Sequence, residues 1–192
     1  MVICATDGAR PHHVDLPQVE FFARTSTHVV YPSIVGCDLM PNPYYEAKVA
    51  CEKLLTSTAH SIIRATQYHQ LIWGWYTASS RWPWLVVPAA TRYQVLDPVV
   101  HATALVEAAV GGPIGRGADL GGPIAYSATD LARSCQRAAG LRRIVVPLNK
   151  RGLFGASLRA GANLTPDRDE SGETWNQFIE RRMPSGSRRT RS

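Results

Sequence analysis

The sequence predicts an α/β fold, a parallel sheet flanked by helices. Three observations carry this. The short apolar runs "VICAT" (2–6), "HVVYPS" (28–33), "SIIRA" (61–65) and "RIVVP" (143–147) are rich in β-branched residues and read as buried strands. Segments with helical spacing or helix-start signals lie between them. Strands that alternate with helices argue for a parallel sheet covered on both faces.

The elements follow in order. After the first strand, Asp15 and Pro17 are expected to open a helix over Val19 to Arg24. In the second strand Pro32 cannot donate a ladder hydrogen bond, so that strand should end or bulge there. A loop with Gly36, Pro41 and Pro43 leads to a helix from about Tyr44. Ala47, Ala50, Cys51, Leu54 and Leu55 form its apolar face, and Glu46, Glu52 and Lys53 are free to face water. Asp97-Pro98 is an N-cap acid followed by proline at the first helical position, and that helix should stop at Gly111-Gly112. Ser127 and Asp130 have the spacing of a capping box for a helix ending before Gly140. Two more helices fit 150–161 and 172–182.

The chain has 192 residues, room for one domain with a real core. We expect a single domain over 1–180 and a disordered basic tail over 181–192. The net charge of +6 falls to +1 without Arg181, Arg182, Arg188, Arg189 and Arg191. A charge excess confined to an end argues against nucleic acid as a partner. Cys4, Cys37, Cys51 and Cys135 form no C-x-x-C, so neither a structural metal nor a redox dithiol is expected. His12-His13 reads as a solvated pair. No secretory leader or membrane-length apolar run is present, so a cytoplasmic protein with reduced thiols and no membrane partner is expected.

The chemistry concentrates between Val30 and Leu55. A tyrosine phenol titrates near ~10, too high for a base at neutral pH. A nearby lysine ammonium favours the phenolate. Tyr44 and Lys48 are four apart and share a helix face. Ser33 ends a strand, where open parallel sheets bind ligands. With seven tyrosines and three lysines, a chance Y-x-x-x-K arises in about one chain in nine. Its position, after a strand ending in serine and at the start of a helix, makes it more specific.

Together "VICAT", "HVVYPSIVG", "PYYEAKVACEKLL", "SIIRATQYHQLI", "VLDPVVHATALVEAA" and "DLGGPIAYSATDLARS" resemble the atypical extended short-chain dehydrogenases/reductases, in particular the NmrA-like NAD(P)-binding group. The resemblance spans about residues 2–140. It implies a partial Rossmann-type sheet with a small C-terminal substrate-side region. It implies Ser33, Tyr44 and Lys48 as a catalytic triad acting on a small-molecule carbonyl or hydroxyl substrate. In it Tyr44 is the acid/base, Lys48 its modulator and ribose anchor, and Ser33 the donor to substrate. Ala5 and Thr6, with Ala65 and Thr66, would line the cofactor, NAD or NADP.

The departure is at the front. The group begins with a strand, a G-x-x-G-x-x-G turn and further strand–helix steps, and here the N-terminal strands are expected to be missing. The "GGPIGRG" at 111–117 follows a helix and reads as a turn. Cofactor binding is therefore expected to be weak or absent, and the bare first strand is expected to promote self-association. Three alternatives stay open: an oxidoreductase or epimerase-like enzyme, a non-catalytic dinucleotide-sensing or interaction module, and a non-functional fragment. The segment "WGWYTASSRWPWL" (73–85) reads either as a lid on an apolar substrate pocket or, more economically, as core closure or a subunit contact. Arg64 is expected to pair with a carboxylate, and His69 and His101 to serve in packing or at the surface.

Overall fold

The structure, a computed structural model, describes residues 1–3, 11–78 and 82–183. Its elements in chain order are α1 (Pro11–Thr25), β1 (Val29–Ile34), α2 (Pro43–Leu55), β2 (His60–Ala65), α3 (His69–Thr77), β3 (Trp84–Pro88), β4 (Arg92–Gln94), α4 (Pro98–Gly111), β5 (Gly115–Arg116), β6 (Ala125–Ser127), α5 (Ala128–Ala138), β7 (Ile144–Leu148), α6 (Gly152–Arg159) and α7 (Trp175–Arg182).

β1, β2 and β5 form a parallel sheet in that order. The β1–β2 register runs unbroken from Val29 opposite His60 to Ile34 opposite Ala65. Val2 bridges Val30 on the far side of β1, and Leu120 bridges Ala65. Side chains alternate across a strand, so each face is covered by different helices. Val29, Tyr31 and Ile62 pack with Val19 of α1 and with Cys51 and Leu55 of α2. Val30 and Ile63 pack with Leu105 and Ala108 of α4 on the other face.

A second layer follows. β3 and β7 pair in parallel, and β4 and β6 antiparallel. Around them Ile72, Tyr76, Leu131, Trp175 and Phe178 close a separate core. The α/β architecture with a parallel sheet and helices on both faces is as the sequence predicts. The helix starts at Asp97 and Ser127 also hold: Asp97 accepts from Val99 N–H and Ser127 from Asp130 N–H. The glycine-rich 111–117 segment is the connection from α4 to β5, with Gly112 and Gly115 at positive φ.

Several details differ from expectation. α1 begins at Pro11, and Pro17 lies inside it. β1 does not end at Pro32. The neighbouring Val30 directs its N–H and C=O toward residues 1–3, and Val29 and Val35 donate toward the β2 side. Pro32, two residues on from Val30, therefore turns its missing N–H away from the β1–β2 ladder. Glu52 does not face water but is buried. The end of helix α3 and the start of strand β3 fall within 73–85, which reads as a tryptophan-bearing loop. Arg181 and Arg182, assigned to the basic tail, form the last turn of α7. The rest of that tail, from 184, lies outside the described residues, as do Cys4, Ala5 and Thr6 of the expected strand over 2–6.

Candidate functional site

Helix α2 carries the site because of how it starts. Asn42 accepts from Tyr44 N–H at 2.9 Å, and Pro43 occupies the first turn, where no N–H is needed. One turn apart on this helix stand Tyr44, Lys48 and Glu52. Facing them are Tyr31 and Ser33 from β1, Arg64 from β2 and Asp15 from α1.

Ser33, Tyr44, Lys48, Ala65 and Thr66 all line one cavity of about 390 Å³, at the carboxyl ends of β1 and β2. These are all the described members of the predicted site. Ala5 and Thr6 lie outside the described residues. A larger cavity of about 670 Å³ adjoins it and is walled by aromatic and aliphatic groups. Tyr44, Tyr45, Gln67 and Trp75 line both cavities. In the larger one Tyr45 stacks on Phe154, with ring centroids 6.1 Å apart, and Trp75 meets Tyr93 edge-on at 5.9 Å. Burial pushes the phenols of Tyr45 and Tyr93 up to about 12. Neither ionises at neutral pH.

Two buried ionic groups hold this floor together. Lys48 Nζ lies 3.1 Å from Asp15 Oδ2, with both side chains almost fully buried. The ammonium also sits over the rings of Tyr31 and Tyr44, 4.8 and 5.7 Å from their centroids. Arg64 binds Glu52 through Nε to Oε1 at 2.8 Å and Nη2 to Oε2 at 2.6 Å, and reaches Asp38 through Nη1 at 2.8 Å. The pairing with Glu52 pushes the guanidinium further above its already high ordinary value. Arg64 thus has the carboxylate partner expected of it.

Ser33 departs from its expected role. Its Oγ donates to Glu52 Oε1 at 2.5 Å. A carboxylate held by a guanidinium can only accept, and a hydroxyl has one proton. Ser33 therefore presents lone pairs to the cavity rather than the donor the resemblance implies. Cys37 stands beside this pair, with Sγ 3.9 Å from Ser33 Oγ. Burial first, and then the Glu52 carboxylate, push the Cys37 thiol up to about 11, so it stays protonated and unreactive.

The histidines pack. His69 is buried against the rings of Trp175 and Phe178. His101 Nε2 donates to the Ile63 carbonyl at 3.1 Å, which leaves Nδ1 to accept from the Tyr68 hydroxyl at 2.5 Å. Burial lowers both to about 4. Among the described residues no cluster of three metal-ligating side chains occurs, and no helix is long and apolar enough to cross a membrane.

The sequence reading missed Glu52, Asp15 and Gln67. Glu52 had a signal, being one further turn along the Tyr44–Lys48 face. Gln67 directly follows the predicted Ala65-Thr66 pair. Asp15 had none, because nothing local says that α1 leans on Lys48.

No family model and no curated protein matches the sequence. Solved structures are similar in fold. A nucleoside-diphosphate-sugar epimerase from Staphylococcus aureus superposes with a TM-score of 0.63 at 13% identity, over 93% of this chain and 75% of that one. An NADPH-dependent quinone oxidoreductase from Escherichia coli, solved with NADPH, gives 0.69 at 14% identity, over 94% and 74%. A UDP-N-acetylglucosamine 4-epimerase from Bacillus cereus gives 0.61 at 12% identity, over 94% and 74%. At these identities the likeness is one of fold. The chain has the Rossmann-type α/β fold of NAD(P)-binding reductases and epimerases.

Proposed function

We propose that this chain is an NAD(P)-dependent oxidoreductase or epimerase-like protein of the NmrA-like kind, acting on a carbonyl or hydroxyl group of a small, flat, largely apolar substrate. One observation carries the reading. Tyr44 stands where a cavity lined by Ser33, Lys48 and Thr66 meets a second one walled by Tyr45, Trp75, Tyr93 and Phe154. A titratable phenol thus borders both a polar chamber and an apolar one.

The smaller cavity fits the nicotinamide end of a dinucleotide. Thr66 Oγ1 is buried there without a hydrogen-bond partner among the described residues, which leaves it for a ligand polar group. Lys48 and Thr66 would hold that end, and a nicotinamide supplies or accepts hydride when bound. The residues of this chain manage the proton. Tyr44 gives its phenolic proton to a carbonyl oxygen, or takes one from a hydroxyl, and the Lys48 ammonium stands 5.7 Å from the centroid of its ring. The aromatic walls of the larger cavity exclude water and align a planar substrate.

The Asp15–Lys48 pair favours a second reading, a dinucleotide-binding module without turnover. A lysine whose charge is matched by a buried carboxylate has less to offer a phenolate. Steady-state reduction of a panel of quinones and aldehydes by NADPH and NADH separates the two. Substrate-dependent cofactor oxidation that Tyr44→Phe abolishes supports the enzyme. Cofactor binding without any such oxidation supports the module.

A further inference from the structure

The geometry points to the side-chain amide of Gln67 as the donor that orients the substrate oxygen beside Tyr44, the part that Ser33 cannot play. This assignment rests on the carbonyl-site reading above and adds a specificity-determining residue to it.

Gln67 follows β2 directly and is buried. Its backbone is pinned, the carbonyl accepting from Leu96 N–H at 2.9 Å. Its side-chain orientation is fixed from behind. Asn163 Nδ2 donates to the Arg92 carbonyl at 2.8 Å, so that atom of Asn163 must be the nitrogen. The same nitrogen lies 3.4 Å from the near atom of the Gln67 amide, which must then be the oxygen. Gln67 Nε2 is left pointing elsewhere, with no hydrogen-bond partner among the described residues. The residue lines both cavities, and so does Tyr44.

Gln67 Nε2 is not among the enclosed unpartnered atoms, so it keeps access to the cavity and can donate to a ligand acceptor there. On the side of the larger cavity the walls are mostly aromatic and aliphatic, so an acceptor oxygen on a flat apolar ligand is the complement. Tyr44 and Gln67 line the same two cavities, and the assignment gives one ligand oxygen two donors there, the phenol of Tyr44 and the amide of Gln67. Of the two only the phenol transfers its proton. Gln67 is a positioning residue, and its donor selects ligands with an acceptor oxygen over hydrocarbons of the same shape.

The experiment uses the full chain and quenching of tryptophan fluorescence, since Trp75 lines both cavities. Two probes of one shape are titrated without cofactor, menadione (2-methyl-1,4-naphthoquinone) and 2-methylnaphthalene. Menadione is expected to bind the parent more tightly than the hydrocarbon. Gln67→Met should weaken menadione about 3- to 10-fold, as befits one neutral hydrogen bond, and leave 2-methylnaphthalene unchanged. Gln67→Glu keeps the acceptor for Asn163 and replaces the donor by an acceptor. It should weaken menadione more than Gln67→Met does and retain the fold, as checked by circular dichroism. Unchanged menadione affinity in both variants, or equal losses for the two probes, overturns the assignment of Gln67. A parent that binds 2-methylnaphthalene and menadione equally, or binds neither, overturns the carbonyl-site reading itself.

Discussion

Arg64 grips both oxygens of Glu52, with contacts of 2.8 and 2.6 Å beneath the carboxyl ends of β1 and β2. The pair joins the sheet to helix α2, and so fixes the rotation of the helix that carries Tyr44 and Lys48. Double-ended geometry of this kind specifies orientation as well as attraction.

Removing one partner of a buried pair leaves the other charge uncompensated. Arg64→Met should therefore cost about 3–5 kcal/mol of stability, read as the shift in urea midpoint. Arg64→Lys keeps the charge and loses the fork, and should recover only part of that. A midpoint unchanged in Arg64→Met would mean that Glu52 is served by other partners.

Lys48→Met is not a purely catalytic variant. It leaves Asp15, whose side chain is fully buried, without its ammonium 3.1 Å away. We expect a loss of about 3–5 kcal/mol from Lys48→Met alone, with most of it restored when Asp15→Asn is added. Additive losses in the double-mutant cycle would show that the two side chains are not coupled.

Tyr44→Phe keeps the ring under which Lys48 sits and removes only the titrating oxygen. If the phenol moves the proton, turnover should fall by ~10²–10⁴-fold while dinucleotide affinity hardly changes. Turnover equal to the parent's would leave the serine–tyrosine–lysine set without a catalytic role.

The buried histidines make stability depend on pH. Burial holds His69 and His101 at about 4, below the ordinary 6.5. Asp97 pulls His69 up and Arg181 pushes it down, and for His101 the Ile63 carbonyl and Lys48 act in the same opposed way. The unfolded chain takes up these protons first, so stability is full above the ordinary value. It is lost as pH falls toward about 4, where the folded chain protonates too. The loss by mildly acidic pH should be roughly 2 kcal/mol per histidine. Urea midpoints measured at neutral and mildly acidic pH should differ accordingly, and His69→Phe should flatten the slope. Equal midpoints would mean that these rings are solvated.

The parts of the fold legible in the sequence are those set by local signals. Asp97-Pro98 starts α4, Ser127 caps α5, and the β-branched runs of β1 and β2 pair as expected. Tyr44 and Lys48 are legible because a helix fixes their spacing. Helix α3 is not, because Tyr68 gives it no side-chain cap and Gly74 lies within it. β4 has three residues, too few for any periodicity. Glu52 reads as a solvent-facing acid until Arg64 is brought under it. The commitment of the Ser33 proton, which decides what the site can donate, depends on that long-range pairing and on no local pattern.

Gly36 holds φ at +72°, and any Cβ there would overlap the carbonyl oxygen of Ala162. The loop leading to Tyr44 is therefore moulded against chain that is made much later. During synthesis β1, α2 and β2 can pair as soon as they emerge, yet the turn that aims α2 has no surface to rest on until the 160s have left the ribosome. Ligand competence should thus arrive at the end of translation, as a single late event. Ribosome-arrested chains that stop before Ala162 should protect β1 and β2 from protease and leave residues 36–42 open to it.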